Sequence, residues 1–63
     1  MAAKRFCVEV RAAGSDVWTG VYWTSSKVVA RRYAQAMAER SGIEGARVVD
    51  EWTGNTWSVS IDK

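Results

Sequence analysis

The sequence predicts an α+β domain of two layers: a four-stranded sheet, ordered β-β-α-β-β along the chain, with one helix packed on one face. Three observations predict it. Residues 4–11 and 56–61 alternate apolar and polar side chains with the period of a half-buried strand. Residues 26–40 instead carry apolar side chains at helical spacing. A chain of 63 residues, 48% hydrophobic and 25% charged, has material for one small domain, residues 1–63, and one core.

From Lys4 to Arg11, Phe6, Val8 and Val10 share one face, and Arg5, Cys7, Glu9 and Arg11 share the other. Ala12-Ala13-Gly14-Ser15-Asp16 then forms a turn of hairpin length. Val17 to Thr24 is rich in β-formers and makes the second strand. Both of its faces are apolar: Val17, Thr19, Val21 and Trp23 on one, Trp18, Gly20, Tyr22 and Thr24 on the other. Whichever set meets the core, the other leaves large side chains on the opposite side.

Ser25 or Ser26 serves as the N-cap of the helix, because a hydroxyl there can accept an orphan backbone N–H. The helix runs to about Arg40 and stops at Ser41-Gly42, where glycine supplies a left-handed cap. Val29, Ala30, Tyr33, Ala34 and Met37 form its core stripe; Lys27, Arg31, Arg32, Gln35 and Glu39 lie opposite or on the flank, with Val28 among them. The two alanines let the helix lie close to the sheet. Ile43 plugs the end of the core, and Ala46 to Trp52 reads as the third strand. Trp52-Thr53-Gly54-Asn55 is a tight turn, with Gly54 suited to positive φ. In the fourth strand, Thr56 to Ile61, Trp57, Val59 and Ile61 point to the helix and Thr56, Ser58 and Ser60 away from it. The pattern leaves the strand order open; a crossover through the helix is right-handed if it joins parallel strands of one sheet.

The residue inventory argues against chemistry. There is no His, so the usual base at neutral pH is missing. Cys7, the single cysteine, cannot form an internal disulfide and reads as a small buried or half-buried thiol. No residues show metal-ligand spacing. Asp50 and Glu51 are neighbours in a strand, point to opposite faces and form no dyad. Gly42-Ile43-Glu44-Gly45 lacks the lysine of a phosphate loop and follows a helix rather than preceding one. The expectation is a protein that is not an enzyme, with no catalytic residues, no cofactor, no metal and no small-molecule substrate. No apolar run is long enough for a membrane span or a signal-peptide core, so the expected compartment is the cytoplasm.

What stands out is the tryptophan content, four residues at positions 18, 23, 52 and 57. Trp57 is core by alternation, and so is one of Trp18 and Trp23. The other, with Trp52 at the hairpin turn, is left to the surface. Tryptophan, tyrosine and arginine are enriched at interface hot spots. In so small a chain, burial and the entropy of ordering nearly cancel, so contact with a partner chain would add needed burial. The reading is a protein-interaction module, a homodimer or a binder of another protein. Its contact surface centres on whichever of Trp18 with Tyr22, or Val21 with Trp23, faces away from the helix. The candidate contact residues are Trp18, Tyr22, Trp52, Arg5 and Arg11. The alternative is nucleic-acid binding through the same face, with Arg5, Arg11 and an aromatic stacking on bases. Glu9 on that face and a net charge of only +2 weigh against it.

Trp23-Thr24-Ser25-Ser26-Lys27-Val28-Val29-Ala30, an aromatic followed by a cap and an alanine-rich helix, and Arg47-Val48-Val49-Asp50-Glu51-Trp52-Thr53-Gly54, a strand and turn, carry a resemblance. Together they resemble small β-β-α-β-β proteins of actinobacteria and their bacteriophages. The resemblance covers most of the chain and implies the fold but no catalytic residues. The helix entry also resembles, slightly, the arm-type DNA-binding domain of tyrosine integrases, in which three strands precede the helix; here only two do.

Overall fold

The computed structural model describes residues 4–59. Four strands, β1 (Phe6–Ala12), β2 (Trp18–Thr24), β3 (Ile43–Asp50) and β4 (Thr56–Val59), form one sheet in the order β2-β1-β3-β4, and α1 (Lys27–Ala38) lies between β2 and β3 in the chain. Every neighbouring pair is antiparallel, so β2 and β3 run parallel to each other on either side of β1. The fold is the two-layer α+β arrangement that the periodicities predict.

Local chemistry sets the boundaries. Ser26 holds extended backbone and its Oγ accepts the Val29 N–H at 3.3 Å, which settles the N-cap between the two serines. The helix ends at Ala38, two residues before the expected Arg40, with Glu39 as a right-handed C-cap whose N–H reaches the Ala36 and Met37 carbonyls. Gly42 is not the cap but takes φ of +86° in the turn that follows, closed by the Ile43 N–H on the Arg40 carbonyl, and Gly54 takes +82° in the β3–β4 hairpin. β3 starts at Ile43, three residues earlier than Ala46, because Ile43 and Gly45 pair with Ala12 and Arg11 at the end of β1. Cross-strand pairing there overrides the turn-like look of a glycine-bracketed stretch. Ser60, Ile61 and the expected extension of β4 lie outside the described residues.

The core fills the space between helix and sheet. Phe6, Val8 and Val10 of β1 and Ala46 and Val48 of β3 meet Ala30, Ala34 and Ala38 of the helix, with Tyr22, Tyr33, Met37, Trp57 and Val59 packed around them. Alanines at i, i+4 and i+8 let the helix backbone approach the central strands. Val29, expected in the stripe, is 41% exposed. The face meeting the sheet is centred on the alanine row, which leaves Val29 on the flank.

Candidate functional site

The two-sided apolar pattern of the second strand has a local cause. Val8 pairs with Tyr22 but Glu9 pairs with Gly20, so Val21 is an extra residue in β2, a β-bulge. A bulge resets the alternation. Before it, Trp18 and Gly20 point to the open face; after it, Trp23 does so too, opposite Cys7. Tyr22 is turned the other way and stacks on Tyr33 of the helix, ring centroids 4.3 Å apart and planes within 11°. Neither expected set, Trp18 with Tyr22 or Val21 with Trp23, therefore shares the open face. That face carries Trp18 and Trp23 together, while Val21 and Tyr22 both pack toward the core.

The indoles lie across the sheet rather than standing on it, because two glycines leave room. A Cβ on Gly20 would lie 2.9 Å from the Trp23 ring, and one on Gly45 would lie 3.0 Å from Trp18. Trp18 thus reaches from the outer strand β2 across β1 to β3. Its ring is flanked by the guanidinium carbons of Arg47, 4.1 Å from the centroid, and Arg11, at 5.8 Å. Beneath this layer Cys7 is only 3% exposed although it points away from the helix. Burial pushes its thiol pKa up, with nearby Glu51 and Glu9 adding to the effect, so the thiolate is disfavoured.

Each arginine of this face is paired with a carboxylate. Arg47 donates to Glu9 at 2.7 Å. Arg11 donates to Glu44 at 2.7 Å and to the Ser15 carbonyl at 2.9 Å. A second register shift makes Glu44 the unpaired extra residue of β3, beside Arg11. The result is a flat aromatic surface with its charges neutralised in place.

Arg5 and Trp52 sit elsewhere, where β1 begins, about 20 Å along that strand from Arg11 by strand rise. Arg5 holds the buried Asp50 carboxylate through Nε, 3.0 Å from both oxygens, and Nη2, 2.8 Å from Oδ2. Trp52 is 64% exposed, with one ring face 4.9 Å from the Arg5 guanidinium carbon. The Trp52 N–H donates to Asp50 Oδ1 at 3.0 Å. This cluster ties the β3–β4 turn to the start of β1.

The five expected contact residues therefore separate into three places. Trp18 and Arg11 belong to the open face, Arg5 and Trp52 to the sheet end, and Tyr22 to the interior. Of the residues that complete the platform, Trp23 is legible only as an alternative, since its facing depends on a register that one strand's pattern does not reveal; Arg47 reaches it from β3. Gly20 gives a fainter signal, as a glycine inside a strand, where close approach of other atoms is one reason to find it; Gly45, ahead of the strand expected from Ala46, gives none.

Replacing Gly45 by Val is expected to lift Trp18 off β3 and cost about 1–2 kcal/mol. Tryptophan emission would move to longer wavelength in the folded variant; an unchanged spectrum and an unchanged melting curve would contradict the packing of Trp18 over this glycine.

Among the described residues no helix is long and apolar enough to cross a membrane. No protein-family model, curated protein or solved structure matches the chain, so the functional reading rests on the geometry of this face.

Proposed function

We propose that the protein is a non-enzymatic interaction module that self-associates through the open face of its sheet, around Trp18 and Trp23. One observation carries this reading: two indoles laid flat over glycines, with Arg47 stacked on one of them and with Arg11 and Arg47 already neutralised by carboxylates. Interface cores are rich in tryptophan and arginine and poor in unbalanced charge. A second copy of the same face would bury the exposed side of Trp23, which is 45% accessible, and about 800 Å² per chain in an interface of standard size. The buried, protonated Cys7 supports binding rather than chemistry. The nucleic-acid alternative draws less support, because Arg5, Arg11 and Arg47 are each engaged by a carboxylate that a phosphate would have to displace.

Sedimentation across micromolar to millimolar concentration tests this. The expected result is a shift from the 7.0 kDa chain toward twice that mass. Trp23→Ala should weaken association about 30-fold or more, as loss of a hot-spot side chain does. A single 7.0 kDa species throughout, or a dimer indifferent to Trp23→Ala and Arg47→Ala, overturns the reading.

A further inference from the structure

On the opposite side of the molecule an open groove of about 950 Å³ runs between α1 and β4. Lys27, Arg31 and Arg32 line its helix wall, and Val48, Trp57 and Val59 line its sheet side. The charges here differ in kind from those of the open face. Among the described residues, none of the three cations has a carboxylate within ion-pair distance, whereas Arg5, Arg11 and Arg47 all do. The first turn of the helix holds no acidic residue, and Lys27 and Arg31 stand four apart, where like charges repel. Val28 lies exposed among them. β4 is an outer strand, so one row of its backbone groups faces away from the sheet without a strand partner among the described residues.

We infer that this groove binds an acidic segment of another protein in extended conformation, which adds as a strand to β4 and sets its carboxylates against Lys27, Arg31 and Arg32. A groove between a helix and a free strand edge is the geometry of strand addition, in which main-chain hydrogen bonds give affinity and the flanking side chains give selectivity. Charge selects an acidic occupant. The apolar sheet side favours a peptide over a nucleic acid, and the Lys27 ammonium sits 4.0 Å from the Trp57 ring centroid, occupying the surface on which a base would stack. This site is separate from the open face and does not depend on self-association.

The test is titration of the isotope-labelled protein with a synthetic hexapeptide of alternating valine and glutamate, followed by backbone amide resonances. Shifts are expected in Thr56–Val59 and along Lys27–Gln35, with affinity falling as salt rises. The double substitution Arg31→Glu with Arg32→Glu, at exposed positions that leave the core intact, should weaken binding at least tenfold. A peptide N-methylated at alternate residues should lose binding in one of its two registers. The inference is overturned by an absence of shifts at millimolar peptide, by binding indifferent to the charge reversal or to both N-methylated peptides, or by shifts confined to the open face. It is equally overturned if a ten-residue oligothymidylate moves the same amides at lower concentration than the peptide.

Discussion

Ala34→Leu is expected to destabilise the fold by about 2–3 kcal/mol, the upper part of the range for overpacking. Ala34 has no exposed surface and lies in the row Ala30, Ala34 and Ala38, all buried against the central strands. Three added carbons have nowhere to go unless the helix rises from Val8 and Val48, the two largest side chains that are fully buried. A domain this small has a total stability of only about 3–9 kcal/mol, so the variant should melt far below the parent. Ala36→Leu, two residues along on the exposed side of the same helix, is the control and should change stability by no more than about 0.5 kcal/mol. Equal effects at the two positions in chemical denaturation would show that the helix does not rest on its alanine row.

The second large effect is expected at Asp50. Its carboxylate receives the Arg5 guanidinium and the Trp52 N–H, and its main chain receives the Gly54 N–H at 2.7 Å. Asp50→Ala leaves the guanidinium and an amide without their acceptor and should lower the melting temperature by on the order of 10 °C. The pH dependence has a definite sign. The hydrogen bonds from Arg5 hold the Asp50 carboxyl well below the usual carboxylate range, at about 2, against the opposing effect of burial. A carboxyl whose pKa is lowered by folding stabilises fully above its unfolded value and loses that contribution as pH falls through the folded one. Thermal stability should therefore be level with respect to this group above about pH 5 and fall between about pH 4 and 2. In Asp50→Asn that fall should be smaller; an acid limb identical to the parent's would mean that another carboxyl controls it.

These expectations show where the sequence was readable. β1 and β4 were legible because each has one face in the core and one out of it, so a period of two survives in the residue order. The helix was legible from its cap and its alanine spacing. β2 misled because the bulge at Val21 divides it into two half-strands of opposite phase, and a bulge is set by the partner strand, which the order of residues in β2 does not contain. The start of β3 was missed for a related reason: Ile43 and Gly45 become strand through pairing with β1, and glycines at 42 and 45 look locally like a turn. The candidate site shared these limits. Arg11 falls on the open face by the alternation of β1, but the pattern of β2 leaves open whether Trp18 with Tyr22 or Val21 with Trp23 faces outward; the bulge sets Trp18 and Trp23 there together and turns Tyr22 onto Tyr33. Arg5 reaches Asp50 from 45 residues away in the chain, a contact that no local pattern contains, whereas Trp52 meets the same carboxylate from two residues on.

The same irregularity in β2 has a consequence for colloidal behaviour. β2 is an outermost strand rich in β-branched and aromatic residues, the composition that nucleates cross-β growth when its rim is straight. The extra residue at Val21 bends that rim and breaks its ladder, so an incoming molecule finds no continuous template along it. Deleting Val21, which restores a straight rim, is therefore expected to speed fibril growth on heating, read by dye binding.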